Sequence, residues 1–174
     1  MLARKRIHGA AIAATAAAAV LVAGCGGGGG TSTTSTTSGE QLTKQELIAK
    51  GDAICRQGRE QFQQLQQSPP TTAEGAATFT QKLIDITESE LAQLRDLNPP
   101  SSVQSSLDDY LKALEKNVAI LRQGLKAAQN NDATGYAKAQ AKTVSQQVER
   151  LQLARAVGFE ECSRPAGTAG STGG

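Results

Sequence analysis

The residues in this chain best suited to chemistry are its three cysteines, which lie far apart in the sequence. Cys25 follows an apolar segment near the start, whereas Cys55 and Cys162 bracket the central part of the chain. Cysteine pairs form disulfides, bind metal ions or take part in redox chemistry. The chain contains no CxxC motif, so the spacing argues against a zinc or redox site and favours a cross-link.

Other groups that support catalysis are scarce. The only histidine, His8, lies near the start, so the rest of the chain cannot supply a Ser-His-Asp unit or the Glu-x-x-His motif of di-iron bundles. No Gly-rich loop followed by Lys and Ser or Thr is present to bind phosphate. The acidic pairs Asp108–Asp109 and Glu160–Glu161 are adjacent in sequence, which on a helix favours a solvated surface. We therefore expect no enzyme activity, no cofactor and no metal site.

The first part of the chain has the three-part pattern of an export signal. Basic residues at Arg4, Lys5 and Arg6 precede an apolar run from Gly9 to Val22, and small residues precede Cys25. The sequence VAGC resembles the lipobox of bacterial lipoproteins, and this resemblance implies a diacylglycerol on the cysteine thiol, followed by cleavage before it. The alternative is an uncleaved transmembrane anchor, for which the apolar run is short against the ~20 residues of a bilayer span.

On this interpretation, residues 1–24 form the signal peptide, and residues 25–41 contain the lipidated cysteine and a flexible Gly/Ser/Thr linker. Residues 42–162 are expected to fold, and residues 163–174 to form a disordered tail. Two or more acyl chains anchor a protein stably, which predicts a protein held on the extracytoplasmic face of the cell membrane. Loss of three of the 18 basic residues with the signal leaves 15 against 16 acidic ones, so no nucleic-acid partner is expected.

The folded part is predicted to be all-α. Ala, Leu, Gln, Lys and Glu dominate it, and runs of β-branched residues are absent. Apolar periodicity predicts four helices, near Lys44 to Gln67, Ala73 to Leu97, Ser102 to Gln129 and Ala133 to Cys162. Thr43 and Glu46 form a capping-box pattern before the first helix. Short connectors favour an antiparallel up-down bundle, the alternative being two long helical hairpins packed loosely.

The third and fourth helices differ in the strength of their apolar stripes. The third has the most regular one, consisting of Val103, Leu107, Tyr110, Leu114, Val118, Leu121, Leu125 and Ala128. The fourth is rich in Ala and Gln, and its predicted stripe consists of Ala137, Ala141, Val144, Val148, Leu151, Gly158 and Cys162. We therefore expect the third helix to be the centre of the apolar contacts.

A disulfide between Cys55 and Cys162 is predicted, because an even pair outside the cytoplasm is normally oxidised once Cys25 carries the lipid. The start of the first helix and the end of the fourth share one end of an up-down bundle. With equal helices in register, however, the two cysteines would lie ~15–20 Å apart along the axis. The second hairpin must therefore be shifted, or the fourth helix must stop near Gly158. The competing interpretation is two free thiols.

Four residues depart from an ordinary bundle pattern. Glu90 and Arg155 fall within the apolar arcs of the second and fourth helices, where charges often reach the rim or pair with neighbours. Gly51 and Gly58 lie at the centre of the first helix's apolar face, where they permit close helix packing. The alternative for all four is a groove between helices that binds a ligand.

The VAGC lipobox, the Gly/Ser/Thr linker and the segments GDAIC, LNPP and GFEEC together resemble small helical lipoproteins of high-GC bacteria. The resemblance implies a role for Cys25 alone and no activity. We expect a non-enzymatic envelope protein that makes protein contacts or plays a structural role at the membrane surface. The alternative is a bundle that binds a small molecule or lipid. The sequence predicts neither the partner nor the oligomeric state.

Overall fold

The structure is a computed structural model that describes residues 40–165. The predicted signal, Cys25, most of the linker and the tail after residue 165 lie outside the described residues. The helices are α1 Lys44–Gln66, α2 Ala73–Arg95, α3 Ser101–Gln129, α4 Ala133–Ser145 and α5 Gln147–Val157. The described part of the chain contains no strand, so the all-α class is confirmed, with the predicted fourth helix divided into α4 and α5. None of these helices is long and apolar enough to span a membrane.

Local signals set the helix starts. The capping box of α1 is confirmed, because the Glu46 N–H donates to Thr43 Oγ1 at 3.2 Å while the Thr43 N–H donates to Glu46 Oε2 at 2.9 Å. The side chains of Thr72 and Asp132 accept the N–H of the third residue of α2 and of α4 in the same way. Proline pairs separate α1 from α2 and α2 from α3, which ends each helix sharply.

Helix α3 is the centre of the bundle. It packs against α2, α4 and α5, whereas α1 packs mainly against α2. The predicted apolar stripe from Val103 to Ala128 is buried except at Leu125, which is half-buried. The main core cluster joins the first half of this stripe to residues of α1, α2, α5 and the C-terminal segment, namely Leu47, Leu91, Leu94, Ala154, Val157 and Phe159. A second cluster joins Val118 and Leu121 to Ile84 of α2. The core, the helix caps and the disulfide described below all come from residues 40–165, which gives this segment what an independently folding domain needs.

The predicted stripe of the fourth helix is wrong over its first half. Val144 and Val148 are 67% and 63% exposed, whereas Ala139 on the opposite side of α4 is buried. A close approach between helices explains the choice, since a Cβ placed on Gly124 of α3 would lie 3.2 Å from the Cβ of Ala139. Small side chains let α4 pack tightly against α3, and this contact outweighs the burial of two valines. The helix then breaks at Gln146 before α5 begins.

The last helix ends earlier than predicted and thereby brings the two cysteines together. Helix α5 stops at Val157, and Gly158 adopts the left-handed conformation, with φ 106°, that ends many helices. The chain then turns back toward α1, and Phe159 becomes almost fully buried. Cys162 reaches Cys55 at a Cα–Cα distance of 5.1 Å, and the predicted disulfide is present. Of the two solutions to the register problem, the stop at Gly158 is therefore the one observed.

Candidate ligand-binding groove

A groove of about 420 Å³ lies over α3, between α1 and α2 on one side and α4 and α5 on the other. It exists because α4 and α5 pack on α3 without closing against α1. Its volume falls within the ~300–1,000 Å³ of typical small-molecule pockets. The walls are largely apolar and include Phe62, Phe79, Leu83, Ile86, Leu121 and Leu151. An apolar molecule of modest size can therefore be held between the helices.

One carboxyl group projects into this apolar space. Glu90 of α2 accepts a hydrogen bond at Oε1 from the Tyr110 hydroxyl, at 3.3 Å, and the same oxygen lies 3.3 Å from Cys55 Sγ. A sulfur in a disulfide has no proton to donate, so this contact does not stabilise the ionised carboxylate. Burial raises the pKa of Glu90 from 4.5 to about 7, against the opposing effects of Tyr110, Arg150 and Arg59. Near neutral pH, Glu90 is therefore poised between its neutral and ionised forms.

A guanidinium group faces the same groove from α5. Nη1 of Arg150 donates to Asn117 Oδ1 at 3.2 Å and to the carbonyl of Thr143 at 3.5 Å. Burial lowers the pKa of Arg150, but a guanidinium remains protonated at physiological pH. Among residues 40–165, no carboxylate lies within ion-pair distance of Arg150. This positive charge is consequently held by neutral oxygens alone.

The other charged residues of the groove neutralise one another. Arg59 of α1 pairs with Glu161 at 2.5 Å, and Arg164 pairs with the same carboxylate at 3.3 Å. The backbone N–H of Glu161 also donates to Asp52 at 2.8 Å, which fastens the C-terminal segment to α1. Burial raises the pKa of Asp52. These contacts, together with the disulfide, close one end of the groove and hold its shape.

The structure assigns different positions to the four residues singled out in the sequence. Glu90 lies in the groove, and Gly58 lines it, with a Cβ there 3.1 Å from Glu90 Oε2. Gly51 does not line it, because the Phe159 ring fills the space beside it and a Cβ would lie 2.5 Å from Phe159 Cζ. Arg155 is exposed outside the groove and donates to the Ser163 carbonyl at 3.4 Å. Gly51 and Arg155 therefore do not line this groove, and they occupy the packing and surface positions that were expected first.

Arg150 and Asn117 also lie in the groove, although neither was expected there from the sequence. A signal was available for Asn117, which lies between Leu114 and Val118 on the apolar stripe of α3 and is 7% exposed. A buried amide within such a stripe requires a polar partner. Arg150 had no comparable signal, because its position depends on which face of α4 and α5 is buried.

The disulfide also bears on metal binding. Single ligand atoms of Cys55, Glu90 and Cys162 lie within 4.8 Å of one another, a spacing that suits a metal site. The two sulfurs are bonded to each other, however, and a zinc site uses free thiolates. In the oxidised protein, the three residues therefore lie at the closed end of the groove. The groove combines an apolar wall, the carboxyl group of Glu90 and the guanidinium of Arg150, which has no carboxylate partner among residues 40–165.

No protein-family model, curated protein or solved structure matches this chain.

Proposed function

We propose that this chain is an extracytoplasmic lipoprotein, anchored to the cell membrane through Cys25, whose helical domain binds a small amphipathic molecule. The anchor rests on the basic and apolar leader and on the VAGC sequence. Ligand binding rests on one observation, the groove of about 420 Å³ with apolar walls and polar groups inside. The ligand places its apolar part between the helices and its polar part at Glu90, Tyr110 and Arg150.

Packing supports ligand binding over a purely structural role. The groove is open to solvent, so its apolar walls are left in contact with water, and grouped apolar surface of this kind marks a binding site. A bundle whose only task is structural has no need of this open space, or of a guanidinium without a carboxylate partner. A bound ligand would cover the apolar walls and could supply a partner for the guanidinium.

The groups in the groove support binding without a reaction. The sulfurs of Cys55 and Cys162 are bonded to each other, which leaves no thiol nucleophile there. The hydroxyls of Thr87 and Thr143 donate to helical carbonyls at 2.8 and 3.1 Å. A hydroxyl nucleophile requires a base beside it, and these two are instead engaged by the backbone. We therefore retain a non-enzymatic role in the proposal.

A second function, contact with an envelope protein, is favoured by one surface feature. The exposed side chains of Val144 and Val148 lie on the outer side of α4 and α5, and Val144 also lines the groove. Exposed apolar residues beside one another mark interaction sites when they are grouped. Val148 does not line the groove, so replacing it with serine should weaken a cross-link to that envelope partner in cells and leave ligand binding unchanged.

Binding can be tested by filling the groove. The chain contains no tryptophan, so Leu151→Trp places a large side chain at a position that lines the groove. Val148→Trp, three residues away on the same helix and exposed, is the matched control. The domain (residues 40–174) is titrated with decanol and decanoate by calorimetry. Binding should occur in the wild type and in Val148→Trp and be lost in Leu151→Trp.

The natural ligand is accessible by native mass spectrometry of the domain purified from its own host. A retained mass that is present in the wild type and absent in Leu151→Trp supports the proposal. Failure of the wild type to bind any of the decyl compounds, together with the absence of a retained mass, refutes it.

A further inference from the structure

Resting on the proposed ligand-binding function, we infer that the polar part of the groove is a subsite for one carboxylate head group, bound by Arg150 beside Asn117. We further infer that Glu90 is protonated when this subsite is occupied. The ligand class is therefore an acidic amphiphile with a single carboxylate and an apolar body, rather than a neutral or cationic one.

The positive charge of Arg150 is not balanced by a carboxylate among residues 40–165. A guanidinium has five N–H donors, and residues 40–165 provide acceptors for Nη1 only, from Asn117 Oδ1 and the Thr143 carbonyl. Fixing one nitrogen orients the planar group and leaves the others for a ligand. Carboxylates match the guanidinium fork with two parallel hydrogen bonds. A carboxylate ligand would thus complete both the charge and the hydrogen bonding of Arg150.

The charges around the subsite also favour an anionic ligand. The groups that face it are Glu90 from α2, Tyr110 from α3, Arg150 from α5, Arg59 from α1 and Arg164 with Glu161 from the C-terminal segment. Glu161 is shared between Arg59 and Arg164, and Tyr110 is neutral because burial and Glu90 raise its pKa. With Glu90 protonated, the groove carries excess positive charge, which an anionic ligand compensates. A cationic ligand would add to the excess.

Glu90 is expected to be protonated when a carboxylate ligand is bound. Its carboxyl group interacts with the charge of Arg150, and the two groups line one groove. Two carboxylates in one low-dielectric site do not both remain ionised, so a bound carboxylate favours the protonated form of Glu90. A protonated carboxyl also donates a hydrogen bond, which an ionised one cannot do. Binding of the anion is therefore accompanied by uptake of up to one proton.

The test compares three probes with the same apolar chain, namely decanoate, decanol and decyltrimethylammonium. Each is titrated into the domain (residues 40–174) by calorimetry at pH 6. A hydrogen bond between charged groups in a buried site predicts that decanoate binds roughly tenfold or more tightly than decanol. Arg150→Gln should remove this preference, so that decanoate binds no more tightly than decanol. Arg155→Gln, an exposed arginine on the same helix, should leave the preference unchanged.

The pH dependence tests the role of Glu90 separately. If only the form protonated at Glu90 binds, the apparent Kd of decanoate rises about tenfold per pH unit above pH 7, because the competent fraction falls by that factor. Glu90→Gln should bind decanoate with a Kd that is independent of pH between 6 and 9. Calorimetry in two buffers of different ionisation enthalpy should show proton uptake in the wild type at pH 8 and none in Glu90→Gln.

The outcomes separate this inference from the proposed function. If decanol binds but decanoate gains nothing over it, or if Arg150→Gln keeps the preference, the groove binds ligands and the carboxylate subsite is wrong. If decyltrimethylammonium binds best, Glu90 acts as an ionised recognition group, and the inference is overturned. If no probe binds the wild type, this inference is overturned, and the proposed function is refuted as well when native mass spectrometry finds no retained mass. Cooperative thermal unfolding followed by circular dichroism shows that each variant is folded.

Discussion

The buried carboxyl of Glu90 should make the stability of this domain depend on pH in an unusual direction. Its pKa is raised from 4.5 to about 7, mainly by burial. Below pH 4.5, Glu90 is protonated in both the folded and the unfolded chain, so it imposes no penalty. As the pH rises from 4.5 toward 7, the unfolded chain releases the proton and the folded chain retains it, which favours unfolding. Above pH 7, both states are ionised and the penalty stays constant.

The size of this penalty follows from the pKa difference. At about 1.36 kcal/mol per pKa unit, a rise from 4.5 to about 7 corresponds to about 3 kcal/mol. This is a substantial part of the ~5–15 kcal/mol by which a domain is normally stable. Glu90→Gln preserves the size and polarity of the side chain and removes the titration. The difference in unfolding free energy between this variant and the wild type should therefore shift by about 3 kcal/mol in favour of Glu90→Gln between pH 4 and pH 8.

Urea denaturation of the oxidised domain (residues 40–174), followed by circular dichroism at intervals from pH 4 to pH 9, measures this shift. Glu88→Gln is the control, because Glu88 lies on the same helix but pairs with Arg122 at the surface. Comparing each variant with the wild type cancels the titration of all other groups. Stability curves of Glu90→Gln and the wild type that stay parallel across this range would show that Glu90 ionises as easily in the folded domain as in the unfolded chain. That result would refute the reasoning.

Three further predictions concern the disulfide, the glycine contact and the lipid. The Cys55–Cys162 disulfide closes a loop of sequence separation 107, so its reduction should lower the free energy of unfolding by ~4–5 kcal/mol in the chain-entropy model. Alkylation of the unfolded, unreduced domain should find no free thiol, and two alkylated cysteines would contradict the prediction. Gly51→Ala should destabilise the domain by ~1–3 kcal/mol, because the added Cβ would lie 2.5 Å from the buried ring of Phe159. If thermal denaturation shows that Gly51→Ala is as stable as Gly58→Ala, the contact is disproved. Cys25→Ala should abolish metabolic labelling with a fatty-acid analogue and release the protein from the membrane; equal labelling of variant and wild type would exclude the proposed anchor.

Part of the groove was predictable from sequence. Glu90 and Gly58 stand out because a charge and a glycine interrupt otherwise apolar helix faces, and the structure brings them together in the groove. The same rule also selected Gly51 and Arg155, which lie elsewhere. An interruption shows that a position is unusual, but it does not distinguish a ligand site from a close contact such as that of Gly51 with Phe159.

The sequence by itself determined the first three helices, since periodicity, the capping box at Thr43 and the proline pairs act within a few residues of each helix. It did not show the break at Gln146 that divides the predicted fourth helix. It also predicted the Cys55–Cys162 pairing that the structure contains, on the expectation that Cys25 carries a lipid. Tertiary structure decided which face of α4 is buried, because Ala139 packs against Gly124 while Val144 stays exposed. That choice orients the segment that carries Arg150 toward the groove. Capping residues, prolines and apolar periodicity act within one helix, so they can be recognised from the sequence of that helix alone. The fit of small residues between two helices depends on both helices, so it becomes visible only in the tertiary structure.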